Sequence, residues 1–306
     1  MMPLVSVIIP TFNRPASIVN CLDALARQTF PLKDFEVIIV DDGSPHPLVL
    51  DPLRWRDTFM VRVIHQENSG PSGARNRGVM EARGAILAFT DDDCLPTPEW
   101  LESLVKALSN HPDVVVGGIT FNGLLSNIYS ETSQLILTMV YEHFNSGPNG
   151  AYFLASNNIA CRRALYRAAG GFDTEFPVPG AEDREFCDRC RMQGVPLIWV
   201  RDARLEHRHD QTLKKFLSLH YRYGRGAYRY QAKRRRRNSG TMAEDLSFHR
   251  SLPRKLFRKL VGYRFLTRLA ISVLLVLWQL SNAMGFVYEV VNDWYNSRRR
   301  INSTAG

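Results

Sequence analysis

Three consecutive carboxylates, Asp91, Asp92 and Asp93, directly follow the apolar run Ala-Ile-Leu-Ala-Phe at residues 85–89. Such a run predicts a buried strand. Adjacent carboxylates repel one another unless a cation neutralises them, and Mg²⁺ is commonly held by one or two carboxylates together with substrate phosphates. Ligands of open α/β sheets bind at the carboxyl ends of the strands. The run is therefore compatible with a metal–phosphate site, but on its own it is equally typical of an acidic turn before a helix near Thr97, since acidic turns are common.

Further polar residues follow other predicted strands. Thr11 and Asp41 each end an apolar run, the pair Glu182-Asp183 begins a predicted helix, and a glycine-rich segment that contains Arg75 enters another helix. A helix N-terminus favours an anion, and arginine can bind phosphate through two hydrogen bonds. Each residue also has a structural explanation: a strand cap, a turn, or negative charge at a helix start. Their recurrence at neighbouring strand ends favours one shared site.

The elements that would position these residues alternate along the first part of the chain. Apolar runs predict strands at residues 4–9, 35–40, 59–64, 85–89 and 114–116, and helical spacing predicts helices that begin at residues 15, 71 and 99. After residue 118 we expect a helix over 124–144, a strand over 152–160, helices over 162–169 and 182–193, and a last strand over 195–200. The pattern predicts an α/β fold with a mostly parallel central sheet covered by helices on both faces.

Six short segments carry most of these polar residues in a fixed order. They are Val-Ile-Ile-Pro-Thr-Phe-Asn-Arg at 7–14, Val-Ile-Ile-Val-Asp-Asp-Gly-Ser at 37–44, Gly-Ala-Arg-Asn-Arg-Gly at 73–78, Phe-Thr-Asp-Asp-Asp at 89–93, Gly-Gly-Phe-Asp at 170–173 and Glu-Asp at 182–183. Together they resemble glycosyltransferase family 2 over about residues 4–210. The resemblance implies a GT-A fold, which is Rossmann-like, and inverting transfer of a sugar from a nucleoside-diphosphate sugar.

The resemblance also implies which residues hold the donor. Thr11 and Asp41 match residues that bind the nucleobase and its ribose, and Arg75 matches a basic residue near the base. In the family's DXD-type motif the middle carboxylate, here Asp92, faces the ribose, with Asp91 in a supporting position. The nucleotide that the family pattern favours is UDP.

A metal and a general base complete the implied site. Asp93 matches the metal-binding end of the DXD-type motif, and His207 matches a further metal contact, with His209 as an open alternative. The expected ion is Mg²⁺ or Mn²⁺, because a departing diphosphate needs a Lewis acid. Asp183 matches the general base that takes the proton of the acceptor hydroxyl, with Glu182 on the acceptor side.

Charge divides the chain into two unequal parts. Of its 306 residues, 1–213 hold 19 Lys and Arg against 26 Asp and Glu, whereas 214–306 hold 20 against 4. We expect a catalytic domain over 1–210, a basic linker or helical segment over 211–250 and a helical tail over 251–306. The basic run 214–237 carries four tyrosines, a composition that suits single-stranded nucleic acid or an anionic membrane. The tail favours the membrane, and we expect no nucleic-acid partner.

The C-terminal tail combines a basic amphipathic segment with an apolar one. Residues 251–266 predict an interfacial helix, and 269–288 are twenty residues without formal charge, enough to span roughly 30 Å of hydrocarbon. A helical hairpin packed on the catalytic domain is the alternative. No signal-peptide pattern precedes the first strand, so we expect the cytoplasmic face of a membrane. Cys187 and Cys190 have metal-ligand spacing, but a second pair is missing and the spacing continues a helix.

Three functions remain open at this point. The first is a glycosyltransferase of cell-envelope polysaccharide or glycolipid synthesis, with a glycan or lipid-linked acceptor. The second is a nucleotidyltransferase, which would be expected to carry a glycine-rich phosphate loop where Pro-Thr-Phe-Asn-Arg follows the first strand. The third is a non-catalytic membrane or nucleic-acid binding module on the same fold, against which the intact carboxylates argue.

Overall fold

The computed structural model describes residues 2–51, 54–55, 58–147, 150–176 and 180–304, with the backbone alone described at 244, 245, 253, 257 and 297–304. Eight strands form one sheet: β1 Val5–Thr11, β2 Phe35–Asp42, β3 Met60–Gln66, β4 Ile86–Phe89, β5 Cys94–Pro96, β6 Val115–Asn122, β7 Ile159–Arg162 and β8 Leu197–His207. The helices are α1 Pro15–Leu25, α2 Gly70–Glu81, α3 Trp100–Asn110, α4 Ile128–Phe144, α5 Arg163–Ala168, α6 Glu182–Met192, α7 Leu213–Arg237, α8 Met242–Leu260 and α9 Phe265–Thr304.

The strand order is β3-β2-β1-β4-β7-β6-β8-β5. The four pairings β1–β2, β1–β4, β2–β3 and β6–β8 are parallel, whereas β7 is antiparallel to both of its neighbours and β5 to β8. Because the N-terminal strands are parallel, their carboxyl ends meet at one edge. The predicted α/β class is confirmed, with the antiparallel strands confined to the second half of the order.

Both faces of the sheet are buried, which explains the near-continuous apolar strands. Along β1, Val7 and Ile9 pack into the layer of α1 and α3, while Ile8 points to the opposite layer. That second layer contains Phe186 and Cys187 of α6. Cys187 and Cys190 are therefore core residues of a helix, and burial raises the pKa of both thiols.

Two predicted strands differ from the structure. The strand predicted at 152–160 is wrong for most of its length, because only Ile159–Arg162 pairs in the sheet and Ser156–Asn158 forms a single helical turn. The last strand is longer than predicted and continues to His207, where it pairs with β5. The three-residue strand β5 follows the acidic run directly and is too short for an alternation pattern to reveal.

The C-terminal helices form a layer against α4. Their shared apolar cluster includes Met139 of α4, Phe216 of α7, Phe248 of α8 and Trp278 of α9. The predicted helix start near residue 251 is wrong, since α8 already begins at Met242 and a new helix begins at Phe265. The tail therefore packs on the rest of the chain along one side.

Many cations of the basic run are paired within the molecule. Arg225 and Arg229 of α7 both bind Glu289 of α9, at 2.7 and 2.6 Å. Lys233 lies 2.6 Å from Asp173, and Arg237 pairs with acidic residues of α6. These ion pairs attach α7 to α6, to α9 and to the loop that contains Asp173. Part of the positive charge is therefore neutralised before any outside partner binds.

Within α9, residues Phe265–Asn296 are long and apolar enough to cross a membrane, and their most apolar window of 18 residues has a mean hydropathy of 1.7. The same length and composition occur in core helices of soluble proteins, so the stretch alone is weak evidence. Only 28% of its most apolar window is buried. The apolar side chains of the other face are exposed, and they include Leu269, Val276, Leu280 and Val287.

Candidate active site

The parallel register brings the predicted strand ends together. Thr11 at the end of β1 lies beside Asp41 at the end of β2, and β4, which leads to the acidic run, lies on the other side of β1. A cavity of about 790 Å³ opens over this edge. Its polar end is lined by Thr11, Arg75, Asp91, Asp92, Asp93, Glu182, Asp183, His207 and His209.

Asp92 is held by two groups from the β1–α1 connection. Thr11 Oγ1 donates a 2.6 Å hydrogen bond to Asp92 Oδ2, and Arg14 Nη1 donates to Asp92 Oδ1 at 3.0 Å and to Asp93 Oδ2 at 2.8 Å. Burial raises the pKa of Asp92 to about 7, against the opposing effect of Arg14. The guanidinium thus supplies part of the positive charge that the acidic run requires.

Arg14 was not among the predicted site residues. It precedes the first residue of α1, and Asn13 before it adopts a left-handed φ of 55°, which turns the chain toward the acidic run. Its side chain is half exposed, so it can reorient when a ligand binds. The sequence offered one indication that Arg14 belongs to the site: it is the last residue of the segment 7–14, which also contains Thr11.

Asp93 and His207 meet through the pairing of β5 with β8. Cys94 is the register partner of His207, and His207 Nε2 lies 3.2 Å from Asp93 Oδ1. Burial alone would raise the pKa of Asp93, but His207 and Arg14 hold it well below its usual value.

One carboxylate and one imidazole that meet in this way form a mixed oxygen–nitrogen donor pair: the carboxylate suits Mg²⁺ and Mn²⁺, and imidazole is a common ligand of transition metals. Cys94 Sγ belongs to the same cluster, in which the ligand atoms of Asp93, Cys94 and His207 lie within 4.8 Å of one another. Burial raises the pKa of this thiol well above its usual value, which disfavours the thiolate form that binds metals. The oxygen and nitrogen donors are therefore the ones that fit.

His209 lies behind His207 in this cluster. The two rings stack with centroids 5.0 Å apart, and Gln211 Nε2 lies 2.9 Å from His209 Nδ1. Burial lowers the pKa of His209 to about 4. Of the two predicted alternatives, His207 is the one that contacts the acidic run.

The opposite wall carries Asp183 at the start of α6. Its carboxylate accepts hydrogen bonds from the backbone N–H of Arg184 at 2.8 Å and of Ser156 at 3.4 Å. Burial, and next the negative charge of Glu182, raise the pKa of Asp183 to about 7. A carboxylate with this pKa matches the requirement for a general base near neutral pH.

Arg75 is buried and joins the two walls. Its Nη2 donates to Asp91 Oδ1 at 2.7 Å, and its Nη1 lies 3.5 Å from Glu182 Oε1. The guanidinium stacks over Phe172, 5.5 Å from the ring centroid. Glu182 also accepts a 2.7 Å hydrogen bond from Gly180 N. Arg75 therefore positions one carboxylate on each wall.

Asp41 lies at the predicted strand end but points into the following turn. It accepts hydrogen bonds from Leu48 N at 2.8 Å and Ser44 N at 3.1 Å, and His65 Nδ1 lies 3.2 Å away. Although burial opposes it, these hydrogen bonds lower the pKa of Asp41. Among the described residues, Asp42 rather than Asp41 lines the cavity, and Asp42 also accepts from Gly70 N at 2.9 Å.

Comparison with known sequences gives a consistent result. Residues 6–169 match the model of glycosyl transferase family 2. The chain is 39% identical over 228 residues to glycosyltransferase AglE of Haloferax volcanii, which covers 74% of this chain and 73% of that protein. It is 30% identical over 240 residues to validoxylamine A glucosyltransferase of Streptomyces hygroscopicus, which covers 69% of this chain and 57% of that protein.

Solved structures share the fold. Mannosyltransferase PcManGT from Pyrobaculum calidifontis, solved with GDP-Man and Mn²⁺, superposes over 97% of this chain and 88% of that chain with a TM-score of 0.64 at 20% identity. TarS of S. aureus, solved with UDP, covers 72% of this chain and 64% of that chain with a TM-score of 0.50 at 23% identity. At these identities the likeness concerns the fold.

Proposed function

The chain belongs to glycosyltransferase family 2 and is a glycosyltransferase, and we propose that it moves a sugar from a nucleoside-diphosphate sugar to a hydroxyl acceptor with inversion at the anomeric carbon. One observation carries the finer proposal. Asp183, with a pKa near 7, faces the same cavity as the cluster of Asp92, Asp93, His207 and Arg14. Inversion requires a base on one side of the sugar and a stabilised leaving group on the other.

We assign the nucleotide to the wall formed by the β1–α1 connection. Thr11 and Asp92 share a hydrogen bond there, so both are oriented before the donor binds. Asp41 stabilises the neighbouring turn 44–48. Asp42 accepts a hydrogen bond from Gly70 N and so holds the glycine-rich start of α2 at the cavity. UDP is our preferred nucleotide, in keeping with the UDP bound to TarS, while PcManGT was solved with GDP-Man.

Asp93 and His207 are the residues that would hold Mn²⁺ or Mg²⁺. When bound, such an ion supplies Lewis-acid stabilisation of the departing diphosphate. Arg14 lies beside them and offers a guanidinium that can donate to diphosphate oxygens. We give Asp91 a supporting position, because Arg75 holds its Oδ1 beside the other carboxylates of the run.

On the acceptor side, Asp183 accepts the hydroxyl proton as the acceptor oxygen attacks. Its two backbone hydrogen bonds keep the carboxylate in place, and Glu182, fixed by Arg75 and Gly180, stands beside it. We propose that Glu182 contributes to the acceptor side and keeps the pKa of Asp183 raised. A pKa near 7 lets the carboxylate both bind and release a proton under cellular conditions.

The proposed cellular place is the cytoplasmic face of a membrane, in cell-envelope polysaccharide or glycolipid synthesis. The support is the exposed apolar face of α9, together with the net positive charge of residues 214–306. We propose a catalytic domain at 1–210, a basic segment at 211–250 and a membrane-associated tail at 251–306, with the last boundary lying inside α8. A peripheral attachment explains why one side of α9 packs on the protein.

The experiment is a panel of nucleotide sugars with Mn²⁺ or Mg²⁺, scored by release of the nucleoside diphosphate. The wild type is expected to turn over one donor in a metal-dependent way. Asp183→Asn should lower transfer by about 10²- to 10⁴-fold while nucleotide binding persists. The matched control Asp202→Asn changes an exposed carboxylate outside the cavity and should keep full activity. Full transfer by Asp183→Asn would remove the base assignment.

A further inference from the structure

The cavity has a second part, which we call the apolar arm. It extends away from Asp183 between α4, α7, α8 and α9. Its apolar lining residues are Ile136, Leu137, Val140 and Phe144 of α4, Leu219 and Ala227 of α7, Met242, Leu246 and Phe248 of α8, and Trp278 and Phe286 of α9. Arg184, next to Asp183, stacks over Phe144 at 5.3 Å and so connects the two parts. The catalytic carboxylate therefore lies at one end of an apolar passage.

Several polar side chains along the arm are already engaged within the protein. Gln134 Nε2 donates to the carbonyl of Thr120 at 2.7 Å, and Ser133 Oγ donates to Gln211 Oε1 at 3.0 Å. Ser130 Oγ donates to the carbonyl of His209. Since these groups are occupied, they offer little hydrogen bonding to a polar glycan. The arm is better suited to an apolar ligand.

His220, in contrast, lines the cavity with an imidazole whose hydrogen-bonding groups are unoccupied within the described part of the chain. Its side chain is 2% exposed, and neither ring nitrogen has a hydrogen-bond partner among the described residues. Burial lowers the pKa of His220 to about 3, so the imidazole is neutral and carries one donor and one acceptor. A buried polar group without a partner is destabilising. A polar ligand atom at the inner end of the arm would satisfy it.

Helix α9 separates this arm from the exterior. Trp278, Asn282 and Phe286 recur every fourth residue on the face that lines the cavity. At about 100° per residue, Leu280 and Val287 fall on the opposite face, where they are exposed. A helix that is apolar on both faces needs an apolar environment on both. One side of α9 thus faces the arm, and the other is suited to hydrocarbon.

We propose that the acceptor is a membrane-held amphiphile, whose hydrocarbon chain occupies the apolar arm and whose hydroxyl-bearing head lies beside His220 and Asp183. The proposal rests on the glycosyl transfer proposed above and specifies its acceptor class. A chain in the arm fixes the head group relative to Asp183, because the arm and the catalytic end are one cavity. His220 then binds the polar head where the chain begins.

The test uses alkyl glucosides with methyl to octyl chains, below their micellar concentrations, as probes of the full-length chain. Binding is followed by the tryptophan fluorescence of a Trp294→Phe background, which removes an exposed tryptophan of α9, and the signal of Trp278 is the part that a further Trp278→Phe substitution abolishes. We expect affinity to rise about fourfold for each methylene that enters the arm. Equal affinity for the methyl and octyl probes would overturn the proposal.

Two substitutions distinguish binding of the alkyl chain in the apolar arm from binding to the exposed face of α9. Ala227→Phe fills the arm and should abolish the dependence on chain length, whereas the matched control Ala283→Phe adds the same side chain at an exposed position of α9 and should preserve it. If octyl glucoside binding is lost in Leu280→Ser but kept in Ala227→Phe, the chain binds the outer face and the arm assignment is wrong. Leu219→Trp, also in the arm, replaces Ala227→Phe if that variant does not fold.

His220→Phe tests the head-group contact. It should lower the binding affinity of the methyl and octyl glucosides by the same several-fold factor, because the contacts of the alkyl chain with the arm remain. An unchanged affinity for both would remove His220 from the acceptor site. UDP binding is measured in every variant: failure of the wild type to bind any nucleoside diphosphate contradicts the proposed function, whereas normal nucleotide binding without chain-length dependence contradicts only the acceptor proposal.

Discussion

At the scale of single residues, charge compensation explains the arrangement of the site. Arg14 neutralises part of the acidic run from one side, and buried Arg75 joins Asp91 to Glu182 on the other. Burial, and next the charge of Glu182, raise the pKa of Asp183 against two backbone donors and the charge of Arg75. Its pKa therefore stays near 7, while hydrogen bonds and the charge of His207 hold those of Asp41 and Asp93 low.

The raised pKa of Asp183 predicts the pH dependence of transfer. Below about pH 7 the carboxyl is protonated and cannot accept the hydroxyl proton, so the rate should fall as the pH decreases and level off above the pKa. A pH profile of kcat measures this. In Asp183→Asn the residual activity should lose the inflection near pH 7. An unchanged inflection would assign it to another group, first of all Asp92, whose pKa is also raised to about 7.

The ion pair between Arg14 and Asp93 predicts that the guanidinium competes with a metal ion for this carboxylate. Because its guanidinium donates to Asp93 Oδ2, Arg14→Ala should leave that carboxylate freer and increase Mn²⁺ affinity about fivefold in the absence of nucleotide. Calorimetric titration with Mn²⁺ alone measures the effect. Arg27→Ala, which removes an exposed cation just beyond α1, is the control and should leave Mn²⁺ affinity unchanged. Weaker Mn²⁺ binding in Arg14→Ala would contradict the competition.

At the scale of elements, close helix contacts hold the C-terminal layer together. α7 and α9 approach so closely that a Cβ added at Gly224 would collide with the carbonyl oxygen of Asn282, and one at Gly285 with that of Tyr221. The ion pairs of Arg225 and Arg229 with Glu289 join the same two helices. Since both helices line the cavity, their spacing sets the width of the apolar arm.

The close contact between α7 and α9 predicts that a methyl group added at Gly224 lowers the stability of the protein. Gly224→Ala should lower the free energy of unfolding by about 1–3 kcal/mol, because the backbone of α9 must move to accommodate the Cβ. Chemical denaturation measures it. The matched control Gly262→Ala lies in open space and should change stability by less than about 0.5 kcal/mol. Equal effects of the two substitutions would show that the helices do not cross this closely in solution.

At the scale of the whole molecule, the C-terminal part offers two features that could bind a membrane, the positive charge of α7 and the apolar face of α9, and they differ in strength. Part of the positive charge of α7 is neutralised by Asp173, Glu289 and acidic residues of α6. The apolar face of α9, in contrast, is exposed along its length from Leu266 to Trp294. We therefore expect apolar contact, more than charge, to attach the protein to a membrane.

Vesicle flotation checks this expectation. The triple substitution of Leu269, Val276 and Leu280 by serine should greatly reduce binding to anionic vesicles, because about 1.5–3 kcal/mol is lost for each large apolar side chain removed from hydrocarbon. Raising the salt concentration should weaken wild-type binding only partly. The same serine substitutions should leave nucleotide binding intact. Complete release of the wild type by salt would show that charge dominates instead.

The family, the α/β class and the candidate carboxylates could be predicted from the amino-acid sequence, because apolar runs and the residues that end them are local features of the chain. The family pattern already named Asp93 and His207 as metal contacts, but the tertiary structure selected His207 over His209, through the pairing of the short strand β5 with β8. It likewise placed Arg14 on the acidic run and Asp42, not Asp41, on the cavity wall. The apolar arm and His220 depend on four helices packing together, and such contacts leave no mark in the spacing of any one helix.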